Sequence, residues 1–266
     1  MKYCRFSYNG GVSYGVKGDH NDRIRLVEGN IFEHAVLTSR YLNEGEITYL
    51  SPCVPTKIVV IGLNYRDHIA EAGLPIPDEP YIVTRPLNTL NAHQGKVLFN
   101  EPQHLIQYEG ELAVIMGKTA KNVAEADGAK FIFGYSCAND ITDRTLFKKD
   151  GHFGRAKAYD THCPVGPFIV TELENTEREI ITRVNGIVKQ QGHTGDMVFK
   201  VPYLISYLSH FMTLNPGDII LTGSPAGTGP LKPGDQVQVS IPSVGTLSNE
   251  ICKHLLARGL SENENC

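Results

Sequence analysis

Only a few stretches in this chain of 266 residues look helical, and one is clearer than the rest. Residues 201–212 place Leu204, Ile205, Leu208 and Phe211 at the spacing of a single helix face. Almost everywhere else, short runs of β-branched and aromatic residues are cut by glycine and proline. Such runs fall at 3–8, 12–16, 24–27, 57–62, 112–116, 131–138, 168–171, 218–222 and 236–241. Asn9-Gly10 and Asn185-Gly186 each sit between two strand-like runs, a strong short-range signal for a hairpin. A second, short helix is predicted over 64–72. A chain with about ten strands and two or three helices is expected to be mainly β, or α+β with an antiparallel-rich sheet.

A chain of this length buries roughly three quarters of the surface its unfolded form exposes, so it folds without staples. Ser51-Pro52 and Val54-Pro55 punctuate the chain and predict a small N-terminal β domain over 1–54. The main domain is then expected over 55–255, with a polar tail at 256–266. Lys plus Arg is 25 and Asp plus Glu is 29, a net charge of −4 that excludes a nucleic-acid binder, which needs clustered cations. No run of 18 apolar residues exists, and the N-terminal MKYCRFSYNGG has no apolar core of signal-peptide length. A cytoplasmic protein without a membrane partner is the expectation. The six cysteines form no C-x-x-C pair and read as scattered reduced thiols.

Chemistry concentrates in a few places. In an extended chain Glu109 and Glu111 point the same way, so two carboxylates face one side with Gly110 between them. Alone, such a pair also fits a solvated strand end. Asp140 brings a third carboxylate to the end of the apolar run 131–138. Three carboxylates without a His or Cys partner suit a hard cation, Mg²⁺ or Mn²⁺. Removing one of them, by Glu111→Gln or Asp140→Asn, is expected to abolish metal-dependent activity, leave the fold intact and relieve repulsion in the apo protein. His68 and Glu71, three apart, share a helix face; they read either as an exposed pair or as a carboxylate-oriented general base. Lys157, between alanines, reads as a solvated loop residue or as a buried cation beside the acids. The run GSPAGTGP (223–230) reads as a wide turn whose amides can grip a carboxylate, because two prolines spoil it as a phosphate cradle.

Taken in order, six segments resemble the fumarylacetoacetate hydrolase family: GLNYRDHIAE (62–71), EGELAVIMG (109–117), GYSCANDITDR (134–144), AKAYDTHCPVGP (156–167), VNG (184–186) with Gln190, and LNPGDIILTGSPAG (214–227). The resemblance implies a mixed β-sandwich roll, a homodimer, and Mg²⁺ or Mn²⁺ on Glu109, Glu111 and Asp140. It also implies a lid helix with a His68–Glu71 dyad, an active-site Lys157, and substrate contacts from Arg85, Arg144, Gln190, Gly223 and Ser224. Two segments depart from the family pattern: VTRP (83–86), where Lys-Pro is usual, and TDRT (142–145), where Thr/Ser-Ala-Arg-Asp is usual. The expected activity is cleavage of a C–C bond in a small 2-oxo acid, as an acylpyruvate hydrolase or an oxaloacetate-type decarboxylase. The alternative is an isomerase or tautomerase of the 2-hydroxyhepta-2,4-diene-1,7-dioate type. The contrasting class is a metal-binding or interaction protein whose two altered segments disable turnover.

Overall fold

The structure is a computed structural model that describes residues 1–18, 22–99, 101, 103–173 and 177–253. The tail expected at 256–266 lies outside the described residues. Among these residues the chain forms twenty strands and three α-helices, the mainly β architecture of the family implied by the motifs.

Asn9 and Gly10 (φ 48° and 77°) turn Lys2–Tyr8 into Gly11–Lys17, and Asn185 and Gly186 (φ 52° and 77°) turn Glu179–Val184 into Ile187–His193. Positive φ at both central residues is the turn whose twist matches a hairpin. The largest sheet runs from Val36–Asn43 through Arg23–Glu28, Gly11–Lys17 and Lys2–Tyr8 to Cys163–Val170. It continues through Ile132–Asn139, Gly110–Met116, Ile219–Leu221 and Ile58–Gly62 to Tyr81–Arg85. The N-terminal strands thus join the main sheet through the pairing of Lys2 and Tyr3 with Val170 and Ile169. A five-stranded sheet, Ile187–His193, Glu179–Val184, Gln236–Ile241, Gly245–Lys253 and Lys96–Phe99, packs against it.

Gly110–Met116 is buried along its whole length. Leu112, Val114 and Met116 enter the core shared with the helix Val201–Phe211, while Ala113 and Ile115 enter a second core with Ile58 and Val60. Glu111 shares the parity of Ala113 and Ile115, so it emerges on that second face. Among the elements not foreseen are the strands Val36–Asn43, Tyr81–Arg85, Lys96–Phe99 and the nine-residue Gly245–Lys253, and the helix Arg144–Asp150. Asp218, inside the LNPGD motif, proves to be an anchor. Its buried carboxylate accepts from the backbone N–H of Thr56, Lys57 and Asn215, and from Lys57 Nζ at 2.6 Å.

Cys4, Cys53, Cys137 and Cys163 are buried free thiols. His162 is buried with Nε2 donating to Leu98 O at 2.9 Å, and burial drives its pKa down from 6.5 to about 4. Unfolding lets this ring take up a proton, so stability is present above pH 6.5 and is lost as pH falls towards 4. The loss amounts to about 3 kcal/mol. Urea titrations across that window are expected to show this slope in the wild-type protein and a flatter one in His162→Gln.

Candidate active site

Glu109, Glu111 and Asp140 converge from two paired strands. The register sets Gly110 opposite Asn139 and Glu111 opposite Ala138, so Asp140, one residue past the end of its strand, lands beside Glu109. Asp140 N–H donates to Glu109 O at 2.8 Å and Asn139 Oδ1 accepts from Glu109 N–H at 3.0 Å, which fixes both backbones. One ligand atom from each carboxylate lies within 4.8 Å of the others, and all three residues are buried.

Gly110 is where a side chain cannot stand: a Cβ there would lie 2.1 Å from Thr182 Oγ1 and 2.9 Å from Gln190 Oε1. Gln190 uses that space. Its Oε1 accepts from Gly110 N–H and Thr182 Oγ1, and its Nε2 donates to Ser224 Oγ and Pro225 O, each at 2.7 Å. Gly223, at φ 95°, brings its N–H within 2.7 Å of Glu111 Oε2, and a Cβ there would strike Asn64 and Ile61.

Two buried cations answer the acids. Lys157 Nζ donates to Asp140 Oδ2, to Glu109 Oε2 at 3.1 Å and to Thr142 Oγ1 at 2.8 Å. Arg85 spreads its fork over Asp140 Oδ1, Ile141 O at 3.0 Å and Lys157 O at 3.2 Å. Burial alone would raise the Asp140 carboxyl, but Lys157 and Arg85 outweigh it and hold it below the usual range. Burial pushes Glu111 well above that range; the charge of Asp140 adds to the rise, and Lys157 only partly opposes it. Of the triad, Glu111 is thus the carboxyl whose charged form burial disfavours most.

A cavity of about 800 Å³ opens over the triad. Glu109, Glu111, Lys157, Arg144, Ser224 and the His68–Glu71 pair face it. Arg144 donates to Glu109 Oε1 at 3.0 Å and to Gln107 Oε1 at 2.9 Å. His68 Nδ1 lies 3.3 Å from Glu71 Oε2 on the six-residue helix Arg66–Glu71. The 223–230 turn does grip carboxylates, though they are the protein's own: Gly227 N–H donates to Glu71 at 3.2 Å and Ala226 N–H to Asp67 at 3.1 Å.

The structure thus brings His68, Glu71, Lys157, Glu109, Glu111, Arg144 and Ser224 to one cavity with Asp140 directly behind. Arg85, Gln190 and Gly223, expected to contact substrate, do not line this cavity. Their polar groups are spent on protein partners, and they hold the acids in place.

Both departures from the family pattern have structural reasons. Arg85 satisfies a carboxylate and two backbone carbonyls at once, which a lysine's single ammonium cannot do with the same fork geometry. Asp143 caps Arg144–Asp150 by accepting from Leu146 N–H at 2.9 Å, and its second oxygen lies 2.6 Å from His104 Nδ1. Sequence reasoning missed Thr142, which bonds Lys157, and Gln107, Tyr81, Phe147 and Phe153, which line the cavity. Thr142 alone had a signal, its place two residues past Asp140.

None of the described helices is long and apolar enough to cross a membrane. Residues 57–252 match the family model described as fumarylacetoacetate (FAA) hydrolase C-terminal, and residues 1–52 match one described as Rv2993c-like, N-terminal. The chain is 42% identical over 211 residues to an oxaloacetate tautomerase of Bacillus subtilis, covering 74% of this chain and 70% of that protein. A 2,4-didehydro-3-deoxy-L-rhamnonate hydrolase of a Sphingomonas species is 35% identical over 274 residues, covering 94% and 96%. The solved structure of a 5-carboxymethyl-2-hydroxymuconate delta-isomerase from Mycobacterium smegmatis superimposes with a TM-score of 0.89 at 33% identity, covering 96% and 100%. These relatives are a tautomerase, a hydrolase and an isomerase, so what they share is a scaffold and not a single reaction. On that ground, and on a match spanning residues 57–252, the chain belongs to the fumarylacetoacetate hydrolase family, a family of enzymes.

Proposed function

We propose that this chain is an Mg²⁺- or Mn²⁺-dependent enzyme that cleaves a C–C bond of a small 2-oxo acid, by acylpyruvate hydrolysis or oxaloacetate-type decarboxylation. The observation that carries the reading is the buried triad of Glu109, Glu111 and Asp140, whose two glutamates line a cavity that also holds Lys157 and the His68–Glu71 pair. The donor set fits the ion. It consists only of hard carboxylate oxygens, and a divalent cation would favour the ionised form of Glu111 that burial opposes. When bound, the ion supplies Lewis-acid stabilisation of developing enolate charge.

The charges support an anionic substrate. Three ionised carboxylates offset Lys157, Arg85 and Arg144, so a divalent ion leaves two positive charges, matching a carboxylate and an enolate together. Lys157, whose Nζ both faces the cavity and bonds the acids, is the residue to hold the substrate carboxylate. His68 takes the proton of an attacking water at its ring nitrogen, with Glu71 orienting the ring and Gly227 N–H fixing Glu71.

A second reading, an isomerase or tautomerase of the 2-hydroxyhepta-2,4-diene-1,7-dioate type, is favoured by the names of the tautomerase and isomerase relatives. It uses the same residues, with His68 moving a proton between substrate atoms instead of activating water. Assembly as a homodimer and a cytoplasmic setting belong to the same proposal.

The test is turnover of acetylpyruvate, fumarylpyruvate and oxaloacetate. At least one is expected to be consumed with Mg²⁺, halted by chelator and restored by added Mg²⁺. Bound metal with no turnover of any 2-oxo acid would instead favour the non-catalytic metal-binding class.

A further inference from the structure

The acids and cations account for one side of the cavity. The other side is a wall of rings. Phe147 and Phe153 stack with centroids 4.2 Å apart and 21° between their planes, and Tyr81 meets Phe153 edge-on at 6.1 Å. Tyr81 is 45% exposed, and Leu74 and Leu105, at 49% and 39%, face the same cavity. Large apolar groups gathered at one wet place beside a charged centre mark a surface that something apolar covers.

Geometry says where that cover must begin. The ring of Phe153 lies 5.2 Å from Lys157 Nζ, and the ring of Phe147 lies 5.8 Å from the Arg144 guanidinium. A ligand whose anionic head pairs with these cations therefore runs its next atoms along the rings. A cavity of about 800 Å³ is also far roomier than a four-carbon acid needs, and it suits a ligand that reaches past the head group. Lys148 lines the cavity too, but it is exposed, and a solvated ammonium adds little to the binding of a second carboxylate. Stacking on the rings is the stronger contribution.

We propose that Tyr81, Phe147 and Phe153 form the specificity wall of the site, and that it selects 2-oxo acids bearing a flat apolar arm, aryl or conjugated. Acids ending in a methyl group or in a second carboxylate are the disfavoured substrates. The inference rests on the reading of the site as one for 2-oxo acids.

The experiment is calorimetry on the Mg²⁺-loaded protein with four ligands, run beside turnover of the last three: oxalate, acetylpyruvate, benzoylpyruvate and succinylpyruvate. Benzoylpyruvate is expected to bind at least about tenfold tighter than the methyl and diacid analogues. Tyr81→Ser and Phe147→Leu are each expected to cut that preference at least about fivefold, through KM more than kcat. Phe153 is left intact because its ring supports Lys157.

A benzoyl arm bound no better than a methyl arm, or a diacid arm bound best, would overturn the proposal. So would variants that weaken all three substrates alike, since that is what a merely structural role gives. Oxalate, a head without an arm, reports separately on the underlying reading. Oxalate bound without any aryl preference overturns the wall alone, whereas no binding of oxalate with Mg²⁺ overturns the 2-oxo acid reading.

Discussion

Asp140→Asn is expected to abolish metal-dependent turnover and to destabilise the apo protein by about 3–5 kcal/mol, the scale of breaking a buried ion pair from one side. Asp140 accepts from both Lys157 and Arg85, whose side chains are almost wholly enclosed. Its loss leaves two buried cations with too little negative charge nearby. Sequence reasoning treated the three acids alike and expected relief of repulsion. That expectation survives only for Glu111. Burial already pushes the Glu111 carboxyl towards its neutral form, and a glutamine offers Gly223 N–H the same acceptor. Urea denaturation with chelator present should therefore separate the two: a large loss for Asp140→Asn and a change within about 1 kcal/mol for Glu111→Gln. Equal stabilities would contradict the charge assignment.

His68→Ala is expected to lower acylpyruvate hydrolysis by ~10²–10⁴-fold, the range for losing a general base. Oxaloacetate decarboxylation should keep a measurable part of its rate, because no water attacks there. The structure strengthens this separation, since Glu71 is held by Gly227 N–H as well as by His68 and so stays in place when the ring is removed. Steady-state rates on both substrates check the prediction. An equal loss on the two would remove water activation from His68 and move it to a shared proton-transfer step.

Local rules made much of this site legible. The same-face placement of Glu109 and Glu111 follows from the period of a strand, and Asp140 was found because it ends an apolar run. Both Asn-Gly hairpins follow from the φ values such turns require. What stayed hidden depends on pairing across the chain. Gln190 sits 80 residues from Gly110, and only the folded register shows that it packs under that glycine. Arg85 lies 55 residues before Asp140, and nothing near it in sequence announces a fork closed on three acceptors. The helix Arg144–Asp150 was passed over because seven residues are too few to display a period, although Asp143 before it and Gly151 after it are a cap at each end. Tyr81, Phe147 and Phe153 come from a strand, a helix and a loop, so no window of sequence contains the wall they form.

In the proposed function, Glu109, Glu111 and Asp140 hold a divalent cation on which the chemistry depends. Titration calorimetry of Mg²⁺ into the wild-type protein and Glu111→Gln is the sharpest test, because this substitution is expected to spare the apo fold. The wild-type protein is expected to bind one ion per chain with release of about one proton, while Glu111→Gln loses most of that affinity and the proton release with it. Unchanged Mg²⁺ affinity in Glu111→Gln would contradict the account.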